Sequence, residues 1–593
     1  MSFLKQTQEK GSAIILVVVL VLSISTIMVV NVGNSTATET RIVREVINSR
    51  ASYYLAESGI EDIFIQIKNG ISVSDGTHST LLNGTTAETT VTSAGNNKTL
   101  TSEGVTDDLY RKATLSIDTS VSSGATIAYS LASQNGSMSV GTGGDITGDI
   151  YTKDDLVFST DVTINGDVFT EGAFSGGCSS DVFGNVHAIG DAGFSTATTV
   201  HGDMHTGGKM TLGTGGQING DVYAQSLSDL STAADVTGNI YVQTGGLTLG
   251  SGTVVQQGIY VGGDTILNTD VQIGTEIYAD GTLTTGTGAK ITGDIYATQD
   301  IVIGTGNDIS GTIKGETTLD IGTGSIINGD VHINGNISLG TSAIIDGDVY
   351  TDGTITIGLG SNITGNTYPA GSITPPITSI PAPETTFSVP ADPFASEIAT
   401  WKSEAEAGGI ATCSFGKYQI DLFSGPQTIG PLKIPCDLEV FGSSNDLTLK
   451  GPVWVTGEVD LETSVKTHIS PSLGNKSAPI ISGGQIKVGT GANFTGSGDS
   501  SSFVILATES GGASPADISL LTSVTGDVIL YAPNGKIQAG TGLDIHGTTY
   551  GNTDIVAGTA AIIKAIPADL QNIITTTTGG GTTIVSQTWK ETE

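Results

Sequence analysis

Two histidines, His187 and His205, stand eighteen residues apart. Such a pair can share a metal ion if the fold brings it onto neighbouring turns. No third ligand is evident from the sequence, so a structural role is the simpler expectation and no metal or cofactor is expected. Acidic residues raise two further chemistries, because residues 141–370 carry 26 acidic and 4 basic side chains. Paired carboxylates would serve a glycosidase, and acid-rich β-rolls hold calcium. The nine-residue calcium repeat GGxGxDxUx is absent, however, and the acids recur regularly without Arg or His gathered beside them. Turn formation and solubility account for them with fewer assumptions. Cys413 and Cys436 fit one disulfide outside the cytoplasm or two buried free thiols. Tyrosines complete the set: Tyr223, Tyr241, Tyr260, Tyr278, Tyr296 and Tyr350 recur at a fixed spacing, as sugar stacking or protein contact would need.

The element that must position these residues is a repeat. Anchor residues at 151, 169, 187, 205, 223, 241, 260, 278, 296, 314, 332, 350 and 368 are 18 apart, except for a 19-residue step from Tyr241 to Tyr260. The residue before each anchor is aliphatic in nearly every repeat (Val222, Ile240, Ile259), and so is the residue five before it (Ile218, Val236, Val255). Three short apolar strands per period, separated by Gly, Asn, Asp and Thr, predict one turn of a parallel β-solenoid. The expected fold is therefore mainly β, with about 13 turns of 18 residues over 141–370. Side chains alternate along a strand, so the anchor tyrosines are expected to form an exposed outward stripe. Stacked tyrosines would also stabilise the sheet face with no ligand. Glycines in the Gly-Asp corners, such as Gly202 and Gly220, are expected to supply backbone freedom where the coil bends.

The amino terminus differs in kind. Gly11 to Thr38 contains no charge, and the apolar run from Ser12 to Val32 is long enough as a helix to cross a bilayer core of about 30 Å. Lys10-Gly11 before Ser12 and the apolar run resembles the leader of type IV prepilins, which implies cleavage by a prepilin peptidase between Gly11 and Ser12. The segment YLAESGI, with Tyr54, Ala56, Glu57, Gly59 and Ile60, is similar to the PilX-type minor pilins. The fifth mature position is Leu16 where major pilins have Glu, which points away from a repeating shaft subunit. The GDVY motif and its spacing resemble bactofilin-like β-helices over 141–370. That resemblance, with no hexapeptide spacing, favours a right-handed coil.

Composition excludes other classes. The chain of 593 residues has 83 Gly, 59 acidic and 23 basic residues, for a net charge of −36, and all four Arg lie at or before Arg111. Such a surface repels phosphate, and nucleic acid is not an expected partner. Seven Pro fall between Pro369 and Pro393, predicting a stiff connection. A helix with Ile398, Trp401 and Ala405 on one face is expected to stop at Gly408-Gly409. Short strands then resume, and a last apolar helix is expected over 560–572. The implied divisions are a prepilin-like leader (1–11), a transmembrane and amphipathic helix (12–70), a β-hairpin region (71–140) and the solenoid (141–370). A linker (371–395), a second β-rich unit (396–575) and a Thr/Gly-rich tail (576–593) follow.

The resemblances imply a non-enzymatic pilus-associated protein. It would sit as a single pass in a bacterial inner membrane, with the pilus assembly machinery and other pilins as partners and a surface glycan or protein as ligand. The solenoid would lie outside the cytoplasm, on the membrane or on a pilus. A membrane-anchored bactofilin-like scaffold and a β-helical polysaccharide-acting enzyme are the alternatives.

Overall fold

The computed structural model describes residues 17–25, 43–44, 48–65, 73, 75–82, 85–94, 97–106, 109–118, 129–371, 373, 379–387, 389–498, 502–511, 516–565 and 587–592. The chain forms two compact units. Residues 1–124 and 575–593 make one, and residues 125–574 make the other.

In the first unit an antiparallel sheet runs in the order Gly76–Leu82, Thr85–Ala94, Asn97–Thr106, Leu109–Asp118 and Gln587–Thr592. The expected hairpins are there, but their outer strand comes from the chain's tail, with Leu115 opposite Trp589. A helix over 48–65 buries Ala56, Ile60 and Ile63 against Val91, Leu100 and Leu115. At Gly104 a Cβ would lie 2.1 Å from the Ser52 carbonyl oxygen, so helix and sheet meet backbone to backbone. Among the described residues no helix is long and apolar enough to cross a membrane. Of the apolar run from Ser12 to Val32, only 17–25 is described, as helix, with Val17 to Leu22 exposed. Gly11 and Ser12 lie outside the described residues.

The second unit is a parallel β-solenoid. Each rung contributes three short strands, as in Val222–Ala224, Ser228–Leu230 and Asp235–Val236. Neighbouring rungs pair in register, Val222 on Ile240 and Tyr223 on Tyr241. Inward aliphatics such as Ile218, Val222 and Leu230 are buried in one continuous column, because a rung can hide them only against the rungs above and below.

The column is longer than the thirteen turns expected. One of its sheets holds twenty strands, thirteen from residues 138–357 and seven from beyond residue 416. At about 4.8 Å per rung it is about 95 Å long. The carboxyl-terminal strands are thus not a second unit. Strand Thr549–Gly551 pairs with Leu131–Ser133, Ile555–Ala557 with Met138–Val140, and Ile562–Lys564 with Asp145–Thr147. The last rung of the chain therefore lies directly beneath the first, and the solenoid starts at Leu131 rather than 141. Residues 562–564 are strand where the terminal helix was expected, and 566–572 lie outside the described residues.

For this order the chain must return along the whole repeat segment after Tyr368. In the proline-rich connection, the described residues 379–387 and 389–395 form a strap along that segment. Ser379 and Ile380 lie beside Tyr278, Glu384 meets His187 and His205, and Phe387 packs on Phe169 and Tyr151. Asp392 then accepts from the buried Tyr531 hydroxyl at 2.7 Å. Helix Glu397–Ala407 follows, with Trp401 and Ala405 buried and Ile398 packed on the outer face of the lower rungs. The segment after it closes the lower end, where Cys413 is joined to Cys436.

Two backbone devices set the rung shape. Thirteen successive rungs, from Gly143 to Gly360, each place one residue in the left-handed region, and Ala197, Ala233 and Ser342 occupy it as well as glycine. Gly148, at the first Gly-Asp corner, has the positive φ (+108°) that the expectation of backbone freedom requires, but the other Gly-Asp corners of the repeat segment work differently. Gly220 has no positive φ, but a Cβ there would sit 2.2 Å from Asp203 Oδ1 and 2.5 Å from the Gly202 carbonyl oxygen. Glycine recurs at that corner because stacked rungs leave no room for a side chain.

Candidate functional site

The corner acids are hydrogen-bonded into ladders. Asp149 Oδ1 accepts the Asp167 amide at 2.8 Å, Asp167 accepts that of Asn185 at 2.7 Å, and Asp203 accepts that of Asp221 at 2.8 Å. Each carboxylate caps a main-chain N–H one rung further on, at a bend where the strand ladder offers that N–H no partner. A second series repeats this with Asp155, Asp191 and Asp264. Asp221 is the most engaged, accepting from the Asn239 amide at 2.6 Å and the Tyr223 hydroxyl at 3.1 Å. Asp221→Ala should therefore lower stability by about 1 kcal/mol in urea titration, while Asp221→Asn, which keeps an acceptor, should lose less than half of that. Equal losses in the two variants would contradict the capping role.

The outward anchors form a ladder along the column. Phe169, His187, His205, Tyr223, Tyr241 and Tyr260 form one unbroken stack, with centroids 4.6–5.1 Å apart and ring planes within 15°. Parallel in-register pairing enforces this, because identical positions repeat at the strand spacing. The stack is interrupted between Tyr260 and Tyr278, resumes as Tyr278 on Tyr296 at 5.3 Å, and returns as His332, Tyr350 and Tyr368. Lys314 occupies the anchor position between these last two groups.

The ladder points away from the core as expected, but it is not the exposed stripe predicted. Tyr296 is 2% exposed and Tyr260 9%, and Tyr223, Tyr241, Tyr278 and Tyr350 are half-buried. Alternation along a strand fixes which way a side chain points, not what lies over it. Carboxylates also hold several hydroxyls: Tyr151 donates to Glu171 at 2.7 Å, Tyr260 to Glu276 at 2.5 Å and Tyr296 to Glu316 at 2.5 Å. Burial first, then these carboxylates, push the Tyr151, Tyr260 and Tyr296 phenols well above the usual tyrosine range. They stay protonated donors.

The strap supplies the histidine pair with the third group that the sequence did not reveal. The Glu384 amide donates to His205 Nδ1 at 3.0 Å, and His187 Nδ1 lies 3.3 Å from the Glu384 carbonyl oxygen. Ligand-type atoms of His187, His205 and Glu384 all fall within 4.8 Å of one another. A shared metal fits this geometry poorly. The two rings are 5° from parallel at 4.7 Å, so their in-plane lone pairs run side by side instead of converging. Both Nδ1 atoms already face the strap backbone. With His205 accepting and His187 donating, the pair reads the two polar groups of one peptide residue as a latch. No local sequence signal marks Glu384, which lies 179 residues beyond His205.

No protein-family model matches the chain, and no curated protein matches it. Among solved structures, similarity is found to the C-terminal domain of Tapirin from Caldicellulosiruptor hydrothermalis, at 14% identity, covering 57% of this chain and 86% of that one, with a TM-score of 0.23. A possible adhesin C-terminal domain from Caldicellulosiruptor kronotskyensis matches at 12% identity, over 64% and 92% of the two chains, with a TM-score of 0.19. The Tapirin C-terminal domain of Caldicellulosiruptor kristjanssonii matches at 13%, over 65% and 94%, with a TM-score of 0.14. Likeness this distant says nothing about function.

Proposed function

We propose that this protein is a non-enzymatic surface interaction protein: a prepilin-type amino-terminal segment anchors it in the inner membrane, and the solenoid is displayed outside the cell for adhesion or pilus-associated contact. The observation that carries the display reading is the Cys413–Cys436 bridge closing the lower end of the column, since disulfides persist in oxidising compartments. A cytoplasmic bactofilin-like scaffold would not keep that bridge. The regular engagement of corner carboxylates as amide caps supports a non-enzymatic column, because it gives those acids a structural role. For the anchor, support comes from the Lys10-Gly11-Ser12 leader and the uncharged run after it.

The test is amino-terminal sequencing of mature protein from cells with and without their prepilin peptidase. A chain beginning at Ser12 only when the peptidase is present is the expected result. A chain that keeps the leader in both strains would overturn the prepilin reading and leave an unprocessed membrane anchor. Thiol labelling under denaturing conditions, before and after reduction, tests the display reading separately. One labelled thiol before reduction and three after is the expected count, from Cys178 and the bridged pair.

A further inference from the structure

The strict period slips once, at the 19-residue step from Tyr241 to Tyr260, and the structure shows what the extra residue makes. The insertion falls at the corner after Tyr241, where Gly245 adopts a φ of +86°, a left-handed residue that the corresponding corner of the other repeats lacks. Two clefts meet there. One, of about 450 Å³, is lined by Leu227, Gly245, Gly246, Asp264, Ile266 and Gln299 among others. The second, of about 400 Å³, is lined by Gln243, Thr244, Tyr278, Asp280 and, from the strap, Ser379 and Ile380. Gly262 and Asp280 line both, so they form one continuous groove.

The aromatic ladder is interrupted at the same place. Tyr260 stacks back on Tyr241 and Tyr278 stacks forward on Tyr296, so the Tyr278 ring at the groove has an aromatic neighbour on one side only. The Tyr260 and Tyr296 hydroxyls are held by Glu276 and Glu316. Among the described residues, no hydrogen bond engages the Tyr278 hydroxyl, the side-chain amides of Gln243 and Gln299, or the Asp280 carboxylate. They differ in this from Asp264, whose carboxylate caps the Thr282 amide. An aromatic ring, two primary amides and a carboxylate, with free donors and acceptors around a groove of ligand size, match a polyol with an apolar C–H face. The acidic column around them disfavours anionic ligands.

We propose that this groove, from Leu227 to Gln299 with Tyr278 at its edge, is a binding site for a neutral saccharide, with the ring of Tyr278 taking the sugar's C–H face and Asp280, Gln243 and Gln299 its hydroxyls. The inference rests on the adhesion reading above and names the ligand class for it. Ser379 and Ile380 tie the site to the strap, so the strap forms one wall of the groove.

Calorimetric titration of the purified full chain with cellopentaose, mannopentaose, chitopentaose and, as an anionic control, pentagalacturonate tests the site. At least one neutral pentaose should bind and pentagalacturonate should not. Tyr278→Ala and Gln299→Ala should each weaken the binding about tenfold or more. Gln299 is exposed, so its variant keeps the test valid if the ladder tolerates Tyr278→Ala poorly. The site is wrong if no neutral pentaose binds at millimolar concentration, or if both variants bind as tightly as the parent. Attachment of cells displaying the chain to immobilised glycans separates this from the broader reading. Attachment that survives both variants would overturn the groove and leave adhesion standing. Binding in solution without attachment by cells would keep the groove and overturn display for adhesion.

Discussion

Replacing Ile146 with aspartate is expected to split the unfolding of the solenoid into two transitions and to cost about 4 kcal/mol or more. Ile146 is fully buried, resting on Ile563 below and beneath Ile164 above. It is therefore a core residue at the one level where rungs distant in sequence are stacked. A carboxylate placed there would face aliphatic side chains with no donor, and the cost of desolvating it has no compensation. Elsewhere in the column a rung is held to its neighbours by chain continuity as well as by stacking. At this level no chain continuity joins 417–564 to 131–368; stacking, the strap and the pairing of Gln587–Thr592 with Leu109–Asp118 hold them, so lost stacking weakens the coupling of the two parts. Differential scanning calorimetry should show one cooperative transition of the column in the parent and two in Ile146→Asp. The matched change Ile240→Asp, buried between Val222 and Ile259 and far from the junction and from both ends, should destabilise without creating that division. A single transition in Ile146→Asp, shifted by less than about 2 kcal/mol, would mean that the two parts do not depend on their junction.

How much of this could be read from residues varies with the kind of contact. The inward ladder was legible down to single positions, since Ile218, Val236 and Val255 recur with the period and each is buried. The helix face was legible for the same reason, as Ile398, Trp401 and Ala405 follow the helical period. Stacking of 549–564 beneath 131–147 was not legible, because the edge of one parallel rung offers the same pattern of N–H, C=O and aliphatic side chains as any other. Proline content predicts a stiff connection over 371–395, but stiffness gives no direction, and the direction decides that the ladder is covered. The pairing of His205 with Glu384 follows from that one fact.

The glycines teach a different lesson. Gly202 and Gly220 look like bends in the sequence, yet their backbone is one that alanine could adopt. Their requirement is steric and comes from the next rung. Conversely, Ala197 and Ala233 carry the left-handed conformation that sequence reasoning assigns to glycine. The corner Asp had a findable signal, since its recurrence two residues before the anchor is periodic. What the periodicity did not give is its partner, the amide eighteen residues on.

Acidification should release the strap from the ladder, and the reason lies in donor and acceptor count at His205. Its Nδ1 accepts the Glu384 N–H, so it must carry no proton, and protonation would set two donors against each other at 3.0 Å. Burial, followed by neighbouring His187, holds the His205 imidazole below the usual histidine range, against the opposing pull of Asp203, Glu384 and Asp221. A base whose folded value is depressed binds fewer protons than the unlatched state between that value and the ordinary one, near 6.5. The latch is therefore fully closed above about pH 6.5 and is lost as pH falls below it, the open fraction rising by at most about tenfold per unit. Hydrogen exchange of peptides covering 379–387, corrected for the intrinsic pH dependence of exchange, should lose up to about thirtyfold in protection between pH 7.5 and pH 5. His205→Phe keeps an aromatic ring in the stack but removes the acceptor. Its strap should exchange quickly at pH 7.5 and show little further change on acidification. Protection of the parent that stays constant across this range would mean that contacts of Phe387 and Asp392, rather than the histidines, hold the strap in place.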